Sequence, residues 1–237
     1  MHNVTQPDPT SRRKEKMFPA GNFLSLSLFA VLTLLWTALP MTLAAQNKSL
    51  NPATIEMVKS MIKNAAQKTA TITSDFVQEK EMSMVREKIT SKGRFYFKKE
   101  RMLRWEYVQP YSYLIIIRND QVTIKDESKV SSFNAGSNKI FSEINRIMLG
   151  CINGTLLSDE KNLLASFAEN SACWVITLKP LAPRLKASIS QIVIFFNRKD
   201  YSVNRLEIYE PGGDCTKINF MDKKLNQPVD DEMFLVH

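Results

Sequence analysis

Histidine is nearly missing from this chain. The two copies stand at positions 2 and 237. A Ser-His-Asp or Cys-His nucleophile, or an ordinary His-ligated metal site, has almost nothing to be built from. Cysteine is sparse too: Cys151, Cys173 and Cys215 are scattered, with no Cys-x-x-Cys spacing. In an oxidising compartment one pair bridges and leaves an odd thiol, or all three are buried thiols. Seven glycines in 237 residues provide no glycine-rich phosphate loop, and no internal repeat or low-complexity linker is present. Asp75 and Glu79 are available for acid-base work, but nothing in the acidic spacing suggests paired catalytic carboxylates. The expectation is no catalytic residue, no metal and no cofactor.

What is present begins with an uncharged run from Phe18 to Ala45, preceded by Arg12, Arg13, Lys14 and Lys16 and ending in Pro40 and small residues. A charged start, an apolar middle and a small-residue end read as a cleaved secretory signal peptide over residues 1–45. Thr42-Leu43-Ala44 and Leu43-Ala44-Ala45 both offer a cleavage triplet, and an uncleaved membrane anchor is the competing reading. Removing this segment takes four of the 32 basic and two of the 24 acidic side chains, leaving 28 against 22 and a net charge of +6. For an exported protein such a surplus fits anionic lipid headgroups or acidic partners better than nucleic acid.

In the remaining 192 residues, Asn51 and Pro52 form a helix-start signal. Ile55, Val58, Ile62 and Ala65 follow at helical spacing. From Thr71 onward short alternating segments are separated by turn residues at Gly93, Asn119-Asp120 and Asn134–Gly136, as in an antiparallel meander. A helix is expected over 137–150 from Ile140, Ile144, Ile147 and Met148, and a short one after Ser158 over "SDEKNLLASFAE". Four strand-like segments close the chain. One domain over 46–237 results: a large, strongly curved antiparallel sheet with helices on one face. Tyr113 to Ile117 stands out, because both faces of that strand are apolar.

"ITSDFVQEK", "SKGRFYFKKERMLRWEYVQPYSYLIIIRND" and the closing "ISQIVIFFNRKDYSVNRLEIYE…CTKINFMDKKLNQPVDDEMF" resemble the periplasmic outer-membrane lipoprotein carrier family, the LolA-like proteins. The likeness covers nearly all of residues 50–236. It is carried by Phe76-x-Gln78, Gly93, Arg104-Trp105, Gln109-Pro110, Val229-Asp230 and Phe234 in that order. The resemblance implies an incomplete antiparallel β-barrel whose open, concave side is covered by helices and holds the acyl chains of lipoproteins. It also implies a non-enzymatic, monomeric carrier with three kinds of partner. These are acylated lipoproteins, an ATP-driven release complex in the inner membrane, and an acceptor at the outer membrane.

By resemblance Trp105 lines or borders the cavity and Leu103 sits near its mouth. Phe95, Phe97, Ile115 and Ile117 join them from strand alternation, although one residue of slip would exchange the faces. Phe196, Ile208 and Phe220 are equally good liners. Met57, Met61, Met82, Met84, Met102 and Met148 would suit flexible chains or simply fill the core. The family's lid-latching arginine is Lys99 here, and the proline after it is Glu100. Lysine lacks arginine's rigid fork of donors, so an identical multi-carbonyl latch is not expected. The doubly apolar strand is expected to turn one face to the lid and the other to the remaining core, with surface in excess for which cargo supplies the packing partner. Two other readings stay open: a carrier of another amphiphile, such as a pigment or glycolipid precursor, and a lipid-sensing envelope regulator.

Overall fold

The computed structural model describes residues 47–236 except 86, 100, 138–145, 147–148, 151 and 153. The expected signal peptide lies outside the described residues, as does most of the helix expected over 137–150, of which Arg146, Leu149 and Gly150 are helical. Helix α1 spans Pro52–Lys68, with the Asn51 side chain accepting from Thr54 N at 2.9 Å as the sequence pattern requires. Its apolar stripe buries Val58 and Ile62 almost completely.

Twelve strands form one antiparallel sheet. They are β1 (Lys48–Ser49), β2 (Thr71–Met82), β3 (Glu87–Lys98), β4 (Met102–Gln109), β5 (Tyr113–Arg118) and β6 (Gln121–Lys125). The series continues with β7 (Val130–Asn134), β8 (Leu163–Glu169), β9 (Cys173–Pro180), β10 (Gln191–Asn197), β11 (Val203–Tyr209) and β12 (Cys215–Leu225). The spatial order is β1-β8-β9-β10-β11-β12-β2-β3-β4-β5-β6-β7. Two meanders, β2–β7 and β8–β12, are thus joined through the β12–β2 pair, and the sheet does not close into a barrel. A one-turn helix, α2 (Pro183–Lys186), links β9 to β10.

The sequence reading fails at Ser158. Thr155–Ser158 is a 3-10 turn, and Leu163–Glu169 is strand β8 rather than helix. Leu163 and Phe167 are buried while Leu164 is exposed; with Phe167 paired to Ile176, the segment follows the period of a strand.

Register sorts the side chains into two faces. Ile72, Phe97, Leu103, Ile117, Val122 and Phe133 stand opposite one another across six neighbouring strands. Phe167, Ile176, Ile194, Leu206 and Ile218 do the same across the other meander. Both rows belong to one core with Val58 and Ile62 of α1 and with Leu156 and Leu157 of the segment connecting β7 to β8. The helical elements therefore cover one face, as expected.

The opposite face of β5 has its own partner. Leu114, Ile116 and Met102 are buried against Phe234, Val229 and Met233 of the C-terminal segment. Phe234 is 1% exposed in a 3-10 turn, Asp231–Phe234, which Asp230 caps. The Arg104 guanidinium donates to the carbonyls of Met233 (3.1 Å) and Leu235 (3.4 Å), and Lys98 pairs with Asp231. The second apolar face of Tyr113–Ile117 is thus packed in core, as expected, but its partner is the chain's own tail, so the surplus expected for cargo is not on this face.

At the centre, Gly93 is required by close approach. A Cβ there would meet Glu106 O at 2.0 Å and the Phe76 ring at 2.6 Å. Because a backbone carbonyl cannot yield, Gly93→Ala is expected to cost about 3 kcal/mol in a urea unfolding titration. Phe234→Ala, which empties the rear cluster, is expected to cost a similar ~3 kcal/mol by the same measurement.

Candidate functional site

Beneath the last two turns of α1 the core is incomplete. Ala65, Ala66 and Thr69 form a roof of small side chains over Ile72, Phe95, Trp105, Phe196, Leu206 and Phe220, leaving a cavity of about 60 Å³. Its rim is the β10–β11 turn, with Asp200, Tyr201 and Ser202, together with Lys223 and Leu225 of β12. Phe95 and Trp105 from β3 and β4 meet Phe196 and Val203 from β10 and β11 around this one space. Five strand intervals separate β4 from β10. Flat, they would span about 24 Å, so the sheet curls around the cavity.

The floor is an aromatic cluster. Phe95 lies 5.2 Å from Trp105 and 5.7 Å from Phe220, both edge-on, and Phe76 lies 4.9 Å from Trp105. Such contacts fix the rings of the floor. A cavity of about 150 Å³ accommodates one benzene. At about 60 Å³ this one holds only part of an acyl chain.

Of the residues selected from the sequence, Phe95 and Trp105 line the cavity, together with the alternates Phe196 and Phe220. Phe97, Leu103 and Ile117 share their face but sit one cross-strand row away in packed core. Leu103, expected at the mouth, is 1% exposed. Ile115 and Ile208 are half-buried against the same core without lining the cavity. Lys99 does touch the helical cover: its Nζ donates to Gln67 O at 2.7 Å and its backbone N to Ala70 O at 2.8 Å. That is one side-chain bond to one carbonyl, as lysine chemistry requires. No methionine lines the cavity among the described residues. Met57, Met61 and Met84 are exposed, Met102 faces the tail, and Met148 lies outside the described residues.

Sequence reasoning missed Lys223. A register shift between Met221 and Lys224, with Asp222 at φ 50°, turns Lys223 to the same side as Phe220 and Leu225. Its Nζ donates to Ser202 Oγ (2.6 Å), Val203 O (2.9 Å) and Asn204 Oδ1 (2.6 Å). Burial pushes its pKa down, partly opposed by the charge of Asp200. The Trp105 indole N–H is buried without an acceptor in hydrogen-bonding geometry. The nearby Tyr107 hydroxyl feels that N–H but donates to Gln78 Oε1 at 2.9 Å, and burial pushes its own pKa up to about 12. Cys173 and Cys215 are free and buried, and Cys151 lies outside the described residues. No cluster able to hold a metal ion occurs among the described residues.

An unclosed antiparallel sheet, curled around an apolar cavity under a helical cover, defines the class of a carrier for apolar cargo. The family model described as outer membrane lipoprotein carrier protein LolA matches residues 67–237, and the chain belongs to that family. No curated protein matches. Among solved structures, an uncharacterized conserved protein from Thermus thermophilus is similar at a TM-score of 0.50 and 7% identity, over 76% of this chain and 92% of that one. A LolA superfamily protein from Nitrosomonas europaea gives 0.40 and 8% identity, over 76% and 97% of the two chains. The lipoprotein LppX of Mycobacterium tuberculosis gives 0.44 and 11%, over 76% and 99%. At such identities the likeness concerns the fold alone.

The single bond at Lys99 generates a test. Lys99→Met is expected to leave the melting temperature within about 2 °C, since an exposed hydrogen bond adds little to global stability. Hydrogen exchange at Ala66–Ala70 should rise several-fold as the end of α1 opens locally.

Proposed function

We propose that this protein is a periplasmic carrier, exported by cleavage of residues 1–45, that shields the acyl chains of lipoproteins in the cavity beneath α1. On this reading it collects cargo from an ATP-driven release complex in the inner membrane and delivers it to an outer-membrane acceptor. It acts by binding, not catalysis. The observation that carries the reading is the pairing of an alanine roof with an aromatic floor around an apolar cavity, in a chain of the LolA family.

The energetics require a container. Each methylene withdrawn from water is worth about 0.8 kcal/mol, so a sixteen-carbon chain is held in a membrane by roughly 12 kcal/mol. An apolar interior can exchange membrane burial for protein burial nearly evenly, and small differences at either end then set the direction. Here loading must lift α1, because about 60 Å³ holds only a fragment of such a chain. The Lys99–Gln67 contact is the bond broken as the helix swings from its Thr69–Ala70 end.

One observation favours a second reading, a carrier of a different amphiphile. Lysine at 99 and glutamate at 100 depart from the arginine-proline pair of the resemblance, so gating and cargo need not match those of the family's lipoprotein carriers.

Organic extraction of the protein isolated from periplasm, followed by mass spectrometry, separates these readings. Acylated lipoprotein supports the first and a free small amphiphile the second. Protein that neither carries nor takes up any acyl compound would sink both. Ala65→Trp fills the roof from a half-exposed helical position. It is expected to lower acyl capture at least about tenfold, measured by displacement of a fluorescent fatty acid, while helicity and melting temperature hold.

A further inference from the structure

Among the described residues Lys223 is the one lysine in the cavity wall, which Asp200 shares, and its direct hydrogen-bond partners are all neutral. Its three donors meet a hydroxyl, a backbone carbonyl and an amide oxygen. Among the described residues no carboxylate lies in ion-pair range of it, whereas Lys59, Lys80, Lys88, Lys217, Arg198 and Arg205 each have one. The nearest acid, Asp200, is reached only through Ser202. That hydroxyl accepts from Lys223 and donates to Asp200 Oδ1 at 2.6 Å, which also accepts from Ser202 N at 2.9 Å. Asp200 is exposed at the rim, where water screens its charge, while Lys223 is half-buried beneath it. Lys223 is therefore the cation of the inner wall, and the charge of Asp200 reaches it across one hydroxyl from the solvated rim.

The orientation of this lysine is built into the backbone. An unbulged β12 would alternate strictly, whereas the extra residue at Asp222 lets Phe220, Lys223 and Leu225 all reach the cavity. Burial pulls the lysine's pKa down, so its charge is carried at a cost that a second anion would offset. Trp105, across the same cavity, adds a buried indole N–H that has no acceptor in hydrogen-bonding geometry, with the Tyr107 hydroxyl nearby. Both polar groups are donors, and both are set in an apolar wall.

We infer that the cavity's ligand carries an anionic group next to its acyl chain, a carboxylate or phosphate ester. This group docks on Lys223 at the β10–β11 rim while the chain lies between the Ala65–Ala66 roof and the Phe95–Trp105–Phe220 floor. The inference rests on the carrier reading and narrows its cargo. The anion belongs either to a free lipid or to an acidic residue beside the acylated residue of a lipoprotein. The ligand keeps its charge and exchanges hydrated counterions for the ammonium, and Ser202, Val203 and Asn204 hold that ammonium in place without neutralising it.

The experiment measures displacement of a fluorescent acyl probe from delipidated, full-length processed protein by two ligand pairs. One pair is laurate against dodecanol. The other is a lipopeptide with Asp against Asn beside its acylated cysteine. A preference of at least about tenfold for the anionic member, the discrimination expected of a charge-assisted contact, supports the inference, and the pair in which it occurs identifies the source. Lys223→Met should abolish that preference, read as the ratio of the two affinities within each pair, and Lys223→Arg should retain it. Equal affinity within both pairs for the wild type would overturn the inference while leaving the carrier reading standing, as would a preference that survives in Lys223→Met. Failure of all four ligands to displace or bind would remove the carrier reading, and the inference with it.

Discussion

Everything in this molecule hangs on the pairing of β12 with β2. It runs from Cys215 opposite Glu81 to Leu225 opposite Ile72 and is the seam between the two meanders. It sets Phe220 opposite Phe76, and Phe76 in turn lies over Gly93 and against Trp105. The aromatic floor is therefore assembled from both meanders, and a one-residue slip at the seam would turn Phe220 to the opposite face. The bulge that aims Lys223 inward lies in the same pairing. Architecture and site share one set of hydrogen bonds.

The two faces of the sheet are finished by different means. The concave face receives α1 and the segment after β7, and it is left short of filling beneath Ala65 and Ala66. The rear face over β4 and β5 is packed by the C-terminal segment, so that Leu114 and Ile116 are buried as Ile117 is. Cations follow the same division. The two-carbonyl grip that an arginine can provide exists here at Arg104, holding the tail, whereas the cover over the cavity has the single bond from Lys99.

Much of this is legible in the sequence. The Asn51-Pro52 start, the β2–β7 meander and the Asn119-Asp120 reversal follow from local chemistry and period. The inward parity of Phe95 depends on a register that period alone leaves open, and Trp105 is placed at the cavity by resemblance. Leu163–Glu169 reads as helix because two adjacent leucines and two alanines satisfy helical spacing, and only pairing with β9 chooses the strand. The tail's burial is invisible because its partner strand lies more than 100 residues away. Lys223 is invisible for a subtler reason. Alternation predicts direction only while the ladder is regular, and Asp222 breaks it with a backbone conformation that any sequence period ignores.

The rear plug has a bearing on the order of assembly. Strands β2 to β5 are synthesised early, yet the strand that completes their centre and the turn that seals their back are contributed by residues 215–234. Contacts so remote along the chain close slowly. A nascent polypeptide of this design stays open, with its middle strands lacking both neighbour and backing, until its final segment emerges. Such delay leaves the seam between the two meanders unmade for nearly the whole of synthesis.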